Sequence, residues 1–587
     1  MSAADVSDLV RRAQELLGAR DQDAALALFK DAVEADPDCH IALRSIAMIL
    51  SVKGQLEEAM AYCERALKLQ PNDLEAIVFM ASSSMRMLKL AEAANYYRRA
   101  IGLNAGVAMF HENLGLALQN LSMAEGAEEH FRRAIQLDPA HSLLSYFNLA
   151  QILQNRGDAK GAAIMCRKVY EYSPDTPMGK LGLGRAFINE GNLEEAEKAL
   201  REAIALQPNM EVAFQLLGNT LQQAGRFEDA EEIFKQSIQL DPYRGSSYTA
   251  LTTGRKMTEQ DRPFVEQMRS VLREGKSTVA DQCAIHFALG KSFNDLRDYE
   301  SAIQEYDAAN EMAAQIFLGG QPFRPEAHTA LCDLVEGLYS KEVFDKYRAF
   351  GSDSEMPIFI VGMMRSGTTL TEHIVSCHPD VAPGGELAYW SEYELGVLDP
   401  VTHALDEQRL KQVQGKYLDL LNTVATGTKR ITNKTPGNYS SLGLIHLAFP
   451  KAKIIHCKRD PVDTALSIYM TPNSMPVDFG YVRENIVFGY GIYRRLINFY
   501  KSVLPSGSIL EVQYEDLVAD REANTRRIVD FLGLEWSDAC LRHEDNRRAV
   551  NTPTMWQVRQ PIYTAAVKRW KHYEPWLGAF KELIVKE

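Results

Sequence analysis

Cysteine is scarce in this chain. Its 587 residues hold eight (Cys39, Cys63, Cys166, Cys283, Cys332, Cys377, Cys457 and Cys540), and none forms a CxxC pair. That scatter excludes a disulfide framework and the usual zinc modules, and it suits a reducing cytoplasm. Long apolar runs are missing as well. No stretch approaches the roughly 18 consecutive apolar residues of a membrane span. The opening MSAADVSDLVRRAQELL has no apolar core of signal-peptide length. A basic excess is also lacking. Lys and Arg number 64 against 78 Asp and Glu, a net charge of −14, of which about −1 belongs to residues 351–587. An acidic surface speaks against nucleic acid as a partner, while the near-neutral C-terminal part has room for a local basic pocket. What remains is an ordinary globular composition, 46% apolar and 24% charged, in a chain too long for one core.

The first positive signal is a repeat. Prolines follow apolar-rich helical segments at Pro37, Pro71, Pro139, Pro174, Pro208 and Pro242, with Ala105 in place of one member. The spacing is 34 residues, once 35. Twelve residues before each marker stand Ala25, Ala59, Ala93, Ala127, Ala162, Ala196 and Ala230. Five before it stand Ala32, Ala66, Ala100, Ala134, Val169, Ala203 and Ser237. Small residues at fixed phase let two helices of one unit approach closely, and Phe29, Tyr97, Phe131 and Phe234 fill between units. After an irregular stretch, Gly290, Phe293, Ala302, Tyr306 and Ala309 restore the same offsets.

These residues resemble the tetratricopeptide (TPR) family. The resemblance implies an α-solenoid of about eight helix–turn–helix units over residues 1–315, with a groove for an extended peptide or protein partner. A scaffold that helps the adjoining domain fold, or that pairs two copies into a homodimer, is the competing use. Periodicity does not choose between them.

The repeat phase ends near Phe317, and residues 316–354 read as a helical linker. From residue 355 the pattern changes. PIFIVG (357–362) is a short apolar run ending in glycine, as expected of a buried parallel strand. KAKIIHCKR (451–459) and SILEVQYED (508–516) repeat that signature with helical segments between. Residues 355–587 therefore read as an α/β domain with a central parallel sheet.

The first strand runs into Gly362-Met363-Met364-Arg365-Ser366-Gly367-Thr368-Thr369-Leu370, and a helix follows. Strand, glycine-bearing loop and helix N-terminus together make an anion site. The spacing is that of a P-loop, but Thr368 stands where a nucleotide hydrolase needs lysine. The positive charge sits inside the loop, on Arg365. An anion needing less neutralisation than a triphosphate with Mg²⁺ fits this arrangement, and no metal-ligand spacing occurs. Alone, such a loop can be merely a tight strand–helix turn.

IVGMMRSGTTL resembles the 5′-phosphosulfate-binding loop of sulfotransferases, with Met364 where members usually have proline. About 90 residues on, Arg459 ends a strand, Asp460-Pro461 opens a helix, and Ser467 follows eight residues after the arginine. In the family this pair binds the 3′-phosphate of 3′-phosphoadenosine 5′-phosphosulfate (PAPS). The resemblance thus implies PAPS as cofactor, held by Arg365, Ser366, Gly367, Thr368, Thr369, Arg459 and Ser467. Tyr514 matches the family tyrosine at a strand end. The run 552–570 resembles the loop closing over the nucleotide in tyrosylprotein members, which adds Thr554, Gln557 and Arg569.

Sulfuryl transfer to a hydroxyl needs a group to accept its proton and a cation near the leaving oxygen. Glu386, after Gly384-Gly385, is placed like the catalytic glutamate of the tyrosylprotein type, and Lys434 in NKTPGN resembles its charge-stabilising lysine. Arg365 is the third catalytic candidate. His373 and His378 compete for the base role, because members acting on phenols use histidine. The resemblance implies an O-sulfotransferase for a protein or peptide, tyrosine included, bound by the repeats. A carbohydrate or small-molecule sulfotransferase that uses its repeats for assembly, and a nucleotide-binding scaffold without turnover, stay open.

Overall fold

The 34-residue period becomes a series of helix hairpins in the computed structural model, which describes residues 3–121, 123–156, 158–318, 322–387, 389–390, 397–425, 427–472, 477–543, 556 and 566–584. Each hairpin pairs a helix of about 13 residues with one of about 14, as in Leu74–Arg86 and Leu90–Leu103. All fourteen positions of the two phased sets, thirteen of them small and the other Val169, have no solvent exposure. The first helices of three units are packed as closely at a glycine. A Cβ at Gly218 would lie 2.4 Å from Phe234, one at Gly115 2.7 Å from Phe131, and one at Gly290 2.8 Å from Tyr306. The turns are held by side chains that satisfy the first free N–H groups of the next helix. Asp21, Asp73, Asp158 and Asn192 do this, each stabilising by about 1 kcal/mol.

Two compact units divide the chain, Met1–Asn189 and Glu190–Glu587. The first is repeat helices throughout. The second begins with Leu193–Leu206 and continues through the eighth repeat, Val279–Asp295 and Tyr299–Leu318. The stretch before that repeat, expected to be irregular, holds two helices, Gly245–Thr253 and Arg262–Glu274. A Thr258–Asp261 capping box and Pro263 start the second, and Gly275 in left-handed conformation stops it. These are local signals that do not need the repeat phase. Helices Pro325–Leu338 and Lys341–Tyr347 lead on to the α/β region.

That region is built on five parallel strands: β1 (Pro357–Gly362), β2 (Val381–Pro383), β3 (Arg430–Asn433), β4 (Lys453–Lys458) and β5 (Ile509–Gln513). Their order is β2-β3-β1-β4-β5. The three apolar runs of the sequence are β1, β4 and β5. The short β2 and β3 carry too few apolar residues to announce themselves. On β1, Ile358 and Ile360 join Ile374, Ile455 and Val512 in the core of one face. Phe359 points to the other, where it meets Trp390 and Tyr417 at 5.7 and 5.8 Å between ring centres. Tyr514 opens the helix Tyr514–Ala519 directly after β5. The described residues contain no helix long and apolar enough to cross a membrane.

Candidate active site

Five of the singled-out residues follow the carboxyl ends of the five strands. Arg365 stands in the loop after β1, Glu386 after β2, Lys434 after β3, Arg459 after β4 and Tyr514 after β5. The connection after β1 runs to the β2 edge, whereas the one after β3 crosses to β4 on the other side of β1, and ligands of open parallel sheets bind at such a switch point.

The loop after β1 is held by backbone geometry. Gly362 lies against the next strand, and a Cβ there would meet the Cys457 carbonyl oxygen at 2.4 Å. Gly367 adopts φ +98° with its Cα against the Tyr514 ring, 2.7 Å from where a Cβ would be. Between them Arg365 itself takes a left-handed conformation, φ 69°, which costs an L residue about 1–3 kcal/mol. Its carbonyl accepts a bond from Arg459 Nη1 at 3.2 Å, and its own Nε donates to Ser467 Oγ at 3.2 Å. The loop and the arginine–serine pair, about 100 residues apart, therefore form one cluster. Ser366 is buried with its Oγ unbonded, and Thr368 and Thr369 form the first turn of the helix Thr368–Val375.

Arg459 lies 4.9 Å over the Tyr514 ring and donates through Nη2 to the Ala566 carbonyl at 2.8 Å. Burial lowers its pKa against the opposing pull of Tyr514 and Asp463. Its Nε is buried without a hydrogen-bond partner. Ser467 sits on the helix Pro461–Tyr469, which Asp460 caps by accepting from the Asp463 N–H. Asp463 receives the Trp570 N–H at 2.8 Å, and Arg569 Nη2 contacts the Met470 sulfur at 3.1 Å. Thr554 and Gln557 lie outside the described residues.

A second cluster lies at the ends of β2 and β3. Lys434, almost wholly buried, donates through Nζ to Glu386 Oε1, and the glutamate is half exposed. Gly385, at φ +66°, accepts the Lys434 N–H at 2.8 Å. The turn is fastened from below by Glu372, which accepts from the Gly385 N–H at 3.1 Å and from Thr432 Oγ1 at 2.7 Å. Burial raises the Glu372 pKa, while Lys434 and those two bonds pull it back. Glu372 belongs to the helix that starts at Thr368, so one helix reaches both clusters. Nothing in the sequence marks it, since it is a lone acid within a run read as a plain helix.

The histidines are placed otherwise. His378 Nε2 meets the Glu535 carbonyl at 2.7 Å, and its Nδ1 accepts from the Asp380 N–H at 3.1 Å, so both ring nitrogens are engaged. His373 is buried edge-on to His543, 6.2 Å between ring centres. Among the described residues, no three His, Cys, Asp or Glu side chains converge as metal ligands would.

Comparison with known proteins bears on this arrangement. Residues 357–538 match the sulfotransferase family, residues 10–73 match a tetratricopeptide repeat, and residues 110–321 match the C-terminal domain of cilia and flagella-associated protein 70. An uncharacterized protein of Aquifex aeolicus is 30% identical over 318 residues, 51% of this chain and 41% of its own length. A protein-tyrosine sulfotransferase of Drosophila melanogaster is 25% identical over 312 residues, 47% of this chain and 55% of its own. Protein-tyrosine sulfotransferase 1 of Danio rerio is 28% identical over 249 residues, 37% and 66% respectively. The chain thus spans between 41% and 66% of the length of these relatives. Residues 357–538 form a sulfotransferase-family domain, and the chain joins that domain to an array of tetratricopeptide repeats.

Proposed function

We propose that residues 355–587 transfer a sulfuryl group from PAPS to an acceptor hydroxyl on a protein or peptide, tyrosine being the favoured side chain. In this reading the repeats of residues 1–315 present the acceptor, and residues 316–354 connect the two. The observation that carries the reading is the Arg365–Ser467 bond, with Arg459 against the Arg365 carbonyl. It joins the loop after β1 and the Arg459–Ser467 pair in one cluster, as a nucleotide carrying both a 5′- and a 3′-phosphate would require.

The residues present fit such a cofactor. A buried Nε of the half-buried Arg459 and the buried Ser366 hydroxyl, both without a hydrogen-bond partner, are costly unless an anion meets them. Arg365, Ser366, Gly367, Thr368 and Thr369 would hold the 5′-phosphate, Arg459 and Ser467 the 3′-phosphate, and Tyr514 would offer a ring face, with Thr554, Gln557 and Arg569 closing the site. Bound there, PAPS would supply the sulfuryl group, with 3′-phosphoadenosine 5′-phosphate as the product. Glu386 accepts the acceptor's proton as the oxygen attacks. Buried Lys434 fixes the Glu386 carboxylate by an ion pair and would supply positive charge to offset what builds up on the leaving oxygen. No residue of the chain forms a covalent intermediate. The base role falls to Glu386 over the histidines because its carboxylate is half exposed at the strand ends, whereas both nitrogens of His378 are engaged and His373 is buried.

Calorimetry tests the cofactor: 3′-phosphoadenosine 5′-phosphate should bind far more tightly than 5′-AMP, and equal affinities would remove the roles of Arg459 and Ser467. Glu386→Ala should keep that affinity and abolish transfer; retained transfer moves the base elsewhere. Incubating a lysate with [³⁵S]PAPS and the protein should label polypeptide, whereas label confined to glycan or small molecules would overturn the acceptor class.

A further inference from the structure

The helix that carries Ser467 ends against the eighth repeat, and both belong to the unit Glu190–Glu587. Its last residue, Tyr469, is gripped at two points by one repeat helix, Tyr299–Leu318. The Tyr469 carbonyl accepts from Asn310 Nδ2 at 2.8 Å, in a fully buried contact. The Tyr469 hydroxyl donates to Asp307 Oδ1 at 2.7 Å. Arg483 closes the group, bonding the same Asp307 oxygen at 2.5 Å with its guanidinium 4.5 Å over the Tyr469 ring. Asn310 also donates to the Tyr306 carbonyl of its own helix at 2.8 Å, which fixes its amide.

The segment after Ala566 is held from the same side. Tyr573, wholly buried, donates to Asn294 Oδ1 at 2.7 Å, and His572 stacks on Tyr299 at 4.8 Å. Asn294 and Tyr299 flank the turn of the eighth repeat. The same segment gives its Trp570 N–H to Asp463 and its Ala566 carbonyl to Arg459. The repeat, the Ser467 helix and the C-terminal segment thus lock one another around Arg459.

We infer that the eighth repeat is part of the cofactor site rather than of the acceptor-presenting array, with Asp307 and Asn310 as positioning residues for recognition of the 3′-phosphate. The inference rests on the function proposed above. Asp307 and Asn310 touch no cofactor. They hold the end of a nine-residue helix whose seventh residue is Ser467. A helix anchored at the Asp460 cap and at Tyr469 keeps that hydroxyl within reach of Arg365 and Arg459. With the far anchor gone the hydroxyl wanders, and only ligands carrying a 3′-phosphate lose affinity.

The test uses full-length Asn310→Ala, Asp307→Asn and the milder Tyr469→Phe, which removes a single hydroxyl. Each is checked for folding by thermal melting and titrated with 3′-phosphoadenosine 5′-phosphate and with 5′-AMP. The expected result is a fall of about tenfold in the preference for the 3′-phosphorylated ligand in Asn310→Ala. The other two should shift in the same direction, with 5′-AMP affinity unchanged. An unchanged preference in folded variants, or an equal loss for both ligands, overturns the inference. Failure of the cofactor reading itself is visible beforehand, as wild-type protein that does not distinguish the two ligands.

Discussion

His446 shows how strongly a single buried group can tie this domain's stability to pH. It lies on the helix Leu442–Ala448, edge-on to Phe344 at 5.0 Å. Burial, aided by the Arg348 charge, pulls its imidazole down to about 4. In the unfolded chain it titrates near 6.5. As pH falls below about 6.5 the unfolded chain gains a proton that the folded one refuses until about 4. Stability from this group is therefore complete above pH 6.5, declines between 6.5 and 4, and levels off below. The loss at pH 5 is about 2 kcal/mol. His446→Leu should flatten the difference between melting temperatures at pH 7.5 and pH 5, and an unaltered difference would clear His446 as its source. At this same scale the site was unevenly legible. Arg365, Arg459 and Ser467 belong to contiguous motifs whose spacing carries the chemistry. Glu372, Asp307 and Asn310 do not, because their partners at Thr432, Tyr469 and Arg483 are defined only by packing.

At the scale of the element, the repeats reduce to a rule of one small residue facing one ring. Gly218→Ala brings a Cβ to 2.4 Å from Phe234, on a helix where alanine is otherwise the better former. Overpacking should win, at about 1–3 kcal/mol of lost stability in urea unfolding. Adding Phe234→Leu should recover part of it by withdrawing the ring edge, and no recovery would place the clash elsewhere. The helices were readable from their period of 34 because each small residue recurs at fixed phase. Strands β2 and β3 were not readable. Three and four residues long, and polar at Arg430, Thr432 and Asn433, they are strands because their neighbours pair with them rather than because of their own pattern.

Across the whole molecule, the two units carry different risk on truncation. Every described residue placed at the site, and every support described for it, lies between Glu190 and Glu587. A chain of residues 190–587 should therefore bind 3′-phosphoadenosine 5′-phosphate as the full chain does. Removal of residues 1–310 should abolish that binding, since it takes Asp307, Asn310 and the Tyr299 and Asn294 contacts with it. Calorimetry on both truncations checks this. Loss of binding in the shorter deletion would show that the first unit supports the site.

The sequence by itself determined that there are helical repeats, a parallel sheet and a glycine-bearing strand–helix loop without the lysine of nucleotide hydrolases. These are local properties, written in period, in apolar runs and in contiguous motifs. Tertiary structure alone decided that Lys434 pairs with Glu386, that Glu372 fastens their turn, and that the last repeat holds the end of the helix carrying Ser467. The bonds responsible join residues as far apart as Asp307 and Arg483, or Asn310 and Tyr469. Which distant polar groups meet is set by how the apolar faces pack, and no spacing along the chain encodes it.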